Sequence, residues 1–325
     1  MGAAEVIDRA LEASVVLSFS RIGPVARSRL FDWDRLDELP RLDGKVALVT
    51  GATSGLGEAT AIALARLGAS VRILARNPDK AAATEAKVRA LTGNDDVRSG
   101  IADLSSLVAV EQLCDRFLAE HHHLDVLVHC AGALVHEHHR TDDGIERTVQ
   151  THLVAPFLLT QRLMPLLQAA PDPRVIWVSS GGMYSERLRV DDLEMGPVAF
   201  NGVTAYARAK RAQVALVGEL ARTTDRVAFH AMHPGWVDTP GVETALPRFH
   251  RLLGPLLRSP EEGADTIVWL AAAAAPADWP GSFWLDRHRR ATHRFPVSAR
   301  PAEEAEAARL VTWCNERVEL VERAV

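Results

Sequence analysis

A short apolar strand that runs directly into a glycine-rich turn is the feature that most constrains this chain. Residues 46–49 are all apolar, as in a parallel strand that is covered on both faces. The turn lies within the run KVALVTGATSGLG, residues 45–57, and its three glycines let the backbone turn sharply and approach a ligand closely. Residues 58–67 then predict a helix whose positive N-terminal end faces the turn. A strand, a glycine turn and a helix N-terminus together predict a site for the pyrophosphate of a dinucleotide.

The rest of the chain alternates between strand and helix patterns after residue 44, which predicts an α/β fold. We expect a Rossmann-type doubly wound parallel sheet of about seven strands with helices on both faces. The later strands are predicted at 70–74, 97–101, 124–128, 175–178, 227–232 and 282–285. The helical patterns that follow the first one include 104–120, 144–168 and 204–221.

Three segments are predicted along the chain. Residues 1–42 form an N-terminal extension of helical character, and residues 43–290 form the Rossmann-type domain. Within that domain, the leucine-rich residues 240–260 are expected to form a helical flap over a pocket. Residues 291–325 form a C-terminal extension, in which 301–324 predicts one exposed amphipathic helix.

Composition excludes several functional classes. The net charge of −5 over 325 residues gives no electrostatic footprint for nucleic acid. The three cysteines, at positions 114, 130 and 314, have no metal-type spacing, which favours a reduced cytoplasmic setting. No apolar run approaches the 18 or more residues of a membrane span.

The N-terminal extension has two open interpretations. Acidic residues precede the apolar residues 13–19, where a signal peptide would carry positive charge. Leu11, Val15, Val16 and Phe19 share one face of a predicted helix, and arginines follow them. The segment is therefore either an interfacial helix, which would make the protein peripheral to a membrane, or a helix packed on the body or on a partner subunit. The packed alternative is the one we favour.

Polar side chains follow the predicted strands, at the edge of the sheet where ligands bind in open α/β folds. Arg76 follows the second strand, where an arginine suits a ribose 2′-phosphate and an acid would hold the 2′-hydroxyl. Arg76 therefore favours NADP(H), with NAD(H) still open, and an ordinary solvated arginine is the alternative. Asp103, after the third strand, also suits the cap of the following helix.

A phenol and an ammonium share one helix face further along the chain. Tyr206 and Lys210 are four residues apart, and they follow Ser180 at the end of the fifth strand. A nearby lysine favours the phenolate, so we expect Lys210 to lower the pKa of Tyr206 from its usual value of about 10. That change would make Tyr206 a usable proton donor and acceptor.

The glycine spacing T-G-x-x-x-G-x-G, the Ser-Ser strand end, the Y-x-x-x-K pair and the segment HPGWVDT resemble the short-chain dehydrogenase/reductase family, in its single-domain branch. The resemblance covers residues 43–290 and implies an oxidoreductase that interconverts an alcohol and a carbonyl. It assigns Tyr206 to proton transfer, Ser180 to the substrate oxygen and Lys210 to the nicotinamide ribose. The further cofactor-binding positions that it implies are Gly51, Ser54, Gly55, Leu56, Gly57, Arg76, Asp103, Leu104, Ala131, Gly132, Pro234, Gly235, Val237 and Thr239.

Two positions depart from the family pattern. The chain has His129-Cys130 where the family usually carries two asparagines, although Ala131 and Gly132 keep their backbone groups. His152 stands where the family usually has an active-site asparagine that holds a water in a proton relay. A histidine also hydrogen-bonds water and titrates near neutrality, so His152 either replaces the asparagine with a new pH dependence or impairs the relay.

Histidine clusters at 121–123 and 136–139 raise the possibility of a metal site. Adjacent histidines in a polar connection are typically solvated surface, and nothing in the pattern supplies a ligand set. We therefore predict no metal.

The family resemblance also implies a homo-oligomer formed through residues 144–168 and 206–221. The leucines of the predicted flap favour a hydrophobic small-molecule substrate, although they would equally suit packing on the core or on a second subunit.

Two alternatives to this enzyme stay open. A nucleotide-sugar epimerase shares the Tyr-Lys pair, but neither the glycine spacing nor the short C-terminal region suits it. A weakly catalytic nucleotide-sensing or scaffolding relative is suggested by His129 and His152.

Overall fold

A computed structural model describes residues 2–294 and 303–322 of the chain. Within these residues, eight strands form a single sheet in the order β3-β2-β1-β4-β5-β6-β7-β8. The strands are β1 (Val46–Thr50), β2 (Ser70–Ala75), β3 (Val97–Ile101), β4 (Val126–His129), β5 (Arg174–Val178), β6 (Ala228–Met232), β7 (Phe283–Leu285) and β8 (His288–Arg289).

The sheet confirms the predicted doubly wound α/β fold. Strands β1 to β7 pair in parallel, and the order changes direction between β1 and β4, where a doubly wound sheet opens a crevice. The prediction of about seven strands missed β8, which has only two residues and pairs antiparallel with β7. The turn between β7 and β8 places Asp286 and Arg287 at positive φ.

Helices cover both faces of the sheet, and each face buries its own apolar core. The α-helices are α1 (Ala3–Ala13), α2 (Val15–Phe19), α3 (Ile22–Leu30), α4 (Gly55–Arg66), α5 (Pro78–Thr92), α6 (Leu107–Glu120), α7 (Arg147–Val149), α8 (Ala155–Ala169), α9 (Gly202–Thr223), α10 (Pro240–Ala245), α11 (Pro247–Leu253), α12 (Pro260–Ala272) and α13 (Glu303–Glu322). Short 3₁₀ helices span Leu36–Glu38, Gly181–Ser185, Val190–Asp192, Gly254–Leu256 and Ala275–Asp278, and a π-helix spans Gln150–Val154. No helix among the described residues is long and apolar enough to cross a membrane.

The helix predicted over 144–168 is in fact divided. The carboxylate of Glu146 accepts hydrogen bonds from the backbone N–H groups of Thr148 and Val149, so the helix begins at Arg147. One turn later the backbone widens into the π-helix before α8 continues. Such a turn often marks a functional site, and this one contains His152.

The N-terminal extension consists of three short helices instead of the single helical face that the sequence predicted. Ser14 ends α1, and its hydroxyl accepts a hydrogen bond from the N–H of Leu17, which starts α2 in a new direction. Phe19 and Val16, which were predicted to share one face, therefore have different surroundings: Phe19 is buried and Val16 is exposed. The extension packs on the body of the protein, as in the alternative that we favoured.

The C-terminal segment forms a helix, α13, and one face of this helix is buried although the pattern predicted an exposed amphipathic helix. Its side chains at Ala307, Leu310 and Cys314 are buried, and it packs against α9 and the π-helix. The ends of the predicted span, at 301–302 and 323–324, lie outside the described residues.

The segment between β6 and α12 contains α10, α11 and a 3₁₀ turn, which agrees with its predicted helical character. Trp236 anchors it, because the ring of Phe249 on α11 packs edge-on against the indole at 5.3 Å. Leu252, on the same short helix, is 80% exposed.

Candidate active site

The glycine turn after β1 packs closely against its neighbours and leaves no space for side chains at Gly51 and Gly57. Gly51 has φ +68°, and a Cβ on it would lie 2.6 Å from the Cα of Ala131. A Cβ on Gly57 would clash with the carbonyl oxygen of Gly51. The turn and the first turn of α4 therefore lie close together, and the N–H groups at the start of α4 remain at the carboxyl edge of the sheet.

Thr50 joins the ends of the two central strands, a role that the sequence analysis missed. Its hydroxyl accepts hydrogen bonds from the backbone N–H groups of Cys130 and Ala131, both at 3.0 Å. The loops after β1 and β4 are thereby held side by side, with Ala131 and Gly132 beside the glycine turn. In the sequence, the position of Thr50 directly before the first glycine of the turn could have indicated this role.

The loops after β2 and β3 lie at the other end of the crevice. Arg76 is exposed directly after β2, and in the described part of the chain no carboxylate pairs with it. Asp103 follows β3 and accepts two hydrogen bonds from Ser105, from its N–H and its hydroxyl. The expectation that Asp103 caps the next helix is wrong, since Ser106 is the N-cap of α6. Leu104 is buried beside it.

Ser180, Tyr206 and Lys210 come together at the carboxyl end of β5. Helix α9 carries both Tyr206 and Lys210 on one face, and the Lys210 ammonium lies 5.4 Å from the centre of the Tyr206 ring. The ammonium donates a hydrogen bond of 2.7 Å to the carbonyl of Val178, two residues before Ser180. The Ser180 side chain hydrogen-bonds Tyr206. Ser179 fixes the helix against the strand, because its hydroxyl donates to the carbonyl of Lys210.

Burial governs the protonation of this pair. It raises the pKa of Tyr206 to about 12, although the hydrogen bond with Ser180 acts in the opposite direction. It lowers the pKa of Lys210 to about 8. The pKa of Tyr206 is therefore raised and not lowered as expected, because removal of the phenol from water outweighs the hydrogen bond with Ser180. The phenol of Tyr206 is consequently neutral throughout the physiological range.

His152 lies beneath the tyrosine. The two rings meet edge-on with centroids 5.2 Å apart, and the Nε2 atom of His152 lies 3.0 Å from the carbonyl oxygen of Ala133. The Nδ1 atom is buried and has no hydrogen-bond partner among the described residues. Burial, helped by the charge of Lys210, lowers the pKa of His152 to about 3. Gln213, one helical turn beyond Lys210, donates a hydrogen bond of 2.6 Å to the carbonyl of His152. The sequence analysis did not identify this residue.

His129 is a core residue and not a ligand. Its Nε2 atom lies 2.8 Å from the hydroxyl of Thr160, and its ring packs on Trp177 at 4.5 Å. Burial lowers its pKa to about 3. Among residues 2–294 and 303–322 no group of three or more His, Cys, Asp or Glu side chains is placed to hold a metal ion.

The loop after β6 closes the crevice over the glycine turn. Gly235 has φ +78°, and Val237 is buried against Gly263 of α12. Thr239 caps α10, and its methyl carbon would lie 3.0 Å from a Cβ on Gly55. The loop from Pro234 to Thr239 thus faces the glycine turn that Ser54, Gly55 and Leu56 belong to.

The sequence model of the short chain dehydrogenase family matches residues 45–248, which include every residue of this site. The chain belongs to the short-chain dehydrogenase/reductase family. It is 39% identical over 299 residues to dehydrogenase/reductase SDR family member 12 of Bos taurus, with 92% of this chain and 93% of that protein covered. It is 30% identical over 250 residues to retinol dehydrogenase 11 of Mus musculus, with 76% and 79% covered.

Solved structures show the same fold. A protein of Mycobacterium paratuberculosis superposes with a TM-score of 0.70 at 25% identity, over 88% of this chain and 97% of that one. A short chain dehydrogenase of Escherichia coli, complexed with NADPH, superposes with a TM-score of 0.64 at 24% identity, over 78% and 100% of the two chains. The family is one of oxidoreductases.

Proposed function

We propose that the protein is an NADP(H)-dependent oxidoreductase that interconverts an alcohol and a carbonyl on a hydrophobic small molecule. The observation that carries the proposal is the meeting of Ser180, Tyr206 and Lys210 at the carboxyl end of β5, beside the glycine turn. Residues 43–290 are proposed to form the oxidoreductase domain, with extensions at 1–42 and 291–325.

The residues of the crevice fit a dinucleotide. Gly51 and Gly57 leave no space for a Cβ where backbone must approach a pyrophosphate, and α4 presents its N-terminus there. Asp103 and Leu104 would hold the adenine, and Ala131, Gly132 and the loop from Pro234 to Thr239 the nicotinamide half. A bound nicotinamide supplies or accepts the hydride.

In the proposed reaction, Ser180 and Tyr206 act on the substrate oxygen, and Lys210 acts on the ribose and on Tyr206. Ser180 donates a hydrogen bond to the carbonyl oxygen and polarises it. Tyr206 is protonated, because burial raises its pKa to about 12, and gives its proton to the oxygen as the carbonyl is reduced. Lys210 orients the ribose and places positive charge beside the phenolate that remains.

The test of this function is turnover with a panel of apolar aldehydes and ketones. We expect wild-type protein to bind NADPH with a change in its fluorescence and to oxidise it with at least one member of the panel. Tyr206→Phe keeps the ring, so it is expected to bind NADPH and lose turnover by about 10²- to 10⁴-fold. Failure to bind either NADPH or NADH would overturn the proposal at its first step.

The preference for NADP(H) rests on Arg76. Its exposed guanidinium has no acidic partner in the part of the chain that the structure describes, so it is free to bind a 2′-phosphate. A charge-assisted bond of this kind is worth about 1.5–3 kcal/mol, so Arg76→Ala should weaken NADPH binding by about 10- to 100-fold and leave NADH binding unchanged. Arg66→Ala, an exposed arginine at the end of α4, is the matched control. If Arg76→Ala changed the binding of NADPH and of NADH equally, Arg76 would be an ordinary solvated side chain with no role in the choice of cofactor.

The alternative is a weakly catalytic nucleotide-sensing or scaffolding relative. The observation that favours it is the position of His152, whose Nε2 atom is held by the backbone of Ala133. NADPH binding without turnover across the panel, in both wild type and His152→Asn, would support this alternative.

The cytoplasmic location and a peripheral contact with a membrane are separate proposals. Exposed apolar side chains are concentrated on the outward side of α1 to α3, at Val6, Ile7, Val16, Leu17, Ile22 and Val25. Arg9, Arg21 and Arg29 are exposed in the same segment, which suits an anionic lipid surface. Flotation with vesicles of phosphatidylcholine and phosphatidylserine tests the contact, and Val16→Ser with Leu17→Ser should abolish it.

A further inference from the structure

Phe19, which lies ahead of the family's nucleotide-binding unit, reaches the catalytic loops. Its ring is 3% exposed and lies between the loop after β5 and the loop after β6. A Cβ on Gly181, the residue next to Ser180, would be 2.6 Å from the Cε2 atom of Phe19. The ring also meets those of His233 and Trp236 at 4.3 and 5.9 Å, and the same Cβ on Gly181 would lie 3.3 Å from the Cε1 atom of His233.

The backbone of the same segment is fixed to the loop after β6. The N–H of Trp236 donates a hydrogen bond of 2.7 Å to the carbonyl of Phe19. Arg258 donates to three successive carbonyls of the segment, at Ser18, Phe19 and Ser20, over 2.6 to 3.2 Å. Phe19 is therefore held in place by main-chain contacts that do not depend on its own ring.

Arg258 is in turn held by buried carboxylates. Asp286, in the turn between β7 and β8, accepts from Arg258 at 2.5 Å and from Arg27 of α3 at 2.6 Å. Arg27 also binds Asp8 of α1, which Arg290 binds from the other side. Burial alone would raise the pKa of Asp286, but the two guanidinium groups outweigh it and hold that pKa below its ordinary value.

We propose that Phe19 is a positioning residue, through which the N-terminal extension sets the distance between Ser180 and the loop at 233–239 that is assigned to the nicotinamide. The proposal rests on the function proposed above. Phe19 touches no reacting atom in this account. It acts because its ring packs against both loops, and because Gly181 has no side chain that could take the place of the ring.

The experiment compares Phe19→Ala with Phe117→Ala. Phe117 on α6 is buried to a similar degree, and it contacts neither loop. Misplacement of a catalytic group by about 1 Å costs about 10²-fold in rate, so Phe19→Ala should lower kcat by about 10- to 100-fold. The KM for NADPH should change less than kcat does, because the loop at 233–239 shifts while the contacts of the glycine turn and Arg76 with the cofactor are untouched. Phe117→Ala should leave both constants close to the wild-type values at a temperature where it is folded.

A second variant and a second readout make the outcome decisive. Phe19→Leu keeps most of the apolar volume and should recover most of kcat. Hydrogen exchange measured by mass spectrometry should be faster in peptides covering 179–185 and 233–239 of Phe19→Ala, and unchanged there in Phe117→Ala. This readout needs no substrate, so it separates failure of the positioning role from failure of the proposed reaction. The positioning role is overturned if both alanine variants lower kcat equally, or if exchange in the two loops matches the wild type.

Discussion

His152 is the residue at which this chain departs most from the pattern of its family. Its ring occupies the space beside Gly132, where a Cβ would lie 2.7 Å from the Nδ1 atom of the histidine. Its pKa of about 3 means that the ring is neutral wherever the protein is folded and active. The histidine therefore replaces an asparagine without adding a charge, and the new pH dependence considered from the sequence is not expected.

The first prediction concerns the pH profile of carbonyl reduction. Tyr206 must be protonated and Lys210 charged, and their pKa values are about 12 and 8. The rate should therefore be constant from about pH 5 to 7 and fall above about pH 8, as Lys210 loses its proton. Oxidation of the alcohol needs the phenolate and should accelerate as the pH rises. His152→Asn should show the same flat region, and an acid limb near pH 6.5 in wild type alone would contradict the neutral ring.

The second prediction concerns packing between the loop after β4 and the π-helix. Gly132→Ala forces a methyl group against the His152 ring, and overpacking of this kind costs about 1–3 kcal/mol of unfolding free energy. In a His152→Ala background, the same change should cost less than about 0.5 kcal/mol, because the clash has been removed. Urea denaturation of the four proteins of the cycle measures the coupling. Additive effects would show that the ring moves aside freely.

At the scale of elements, local contacts explain what the sequence predicted and what it did not. The strands were predictable because apolar runs recur between turn signals, and Ser180, Tyr206 and Lys210 because strand ends meet at one edge of a parallel sheet. The break at Ser14 and the N-caps at Glu146 and Ser106 each depend on one side chain that accepts hydrogen bonds from one or two backbone N–H groups. Many residues in a sequence could make such a bond, so the choice is made by tertiary packing.

The contact between α3 and the turn before β8 also depends on tertiary packing. Arg27 and Asp286 are 259 positions apart, and no periodicity in the sequence connects them. Phe19 likewise looks like one apolar residue of an amphipathic helix until the fold places it beside Gly181. Contacts of this kind follow from the closing of the fold and cannot be read from a local pattern.

The third prediction concerns this buried ionic contact. Asp286→Asn leaves Arg27 and Arg258 without their shared charge, and loss of one partner of a buried pair costs about 3–5 kcal/mol. Because the pKa of Asp286 is held below its ordinary value, its contribution is present above about pH 4 and is lost as the pH falls further. The difference in unfolding free energy between wild type and variant should therefore shrink on acidification. Asp37→Asn, in the exposed pair with Arg35, should not measurably change the unfolding free energy above or below about pH 4.

At the scale of the whole molecule, α13 changes where a second copy could dock. The family resemblance implies contact through residues 144–168 and 206–221, but α13 packs on α9 and on the π-helix. An oligomer formed on this side of the molecule would therefore have α13 at its interface. Ala308, Thr312 and Asn315 are exposed and lie along one outward face of that helix.

The fourth prediction follows from that arrangement. We expect wild type to have a mass above the 35.4 kDa of one chain, and Thr312→Arg to return it to that value. Leu91→Arg, on the exposed side of α5, is the matched control and should not change the mass. Size-exclusion chromatography with light scattering measures all three. An unchanged mass in Thr312→Arg would place the interface elsewhere.

The central claim is that this chain transfers a hydride, with Tyr206 supplying the proton. It is tested most directly with NADPH that carries deuterium at both C4 positions of the nicotinamide, by following the deuterium into the product of a carbonyl substrate that wild type reduces. We expect an alcohol that carries deuterium on the former carbonyl carbon, and we expect Tyr206→Phe to form it at least about 10²-fold more slowly in spite of intact NADPH binding. Product without deuterium, or a Tyr206→Phe variant that forms it at the wild-type rate, would contradict the account.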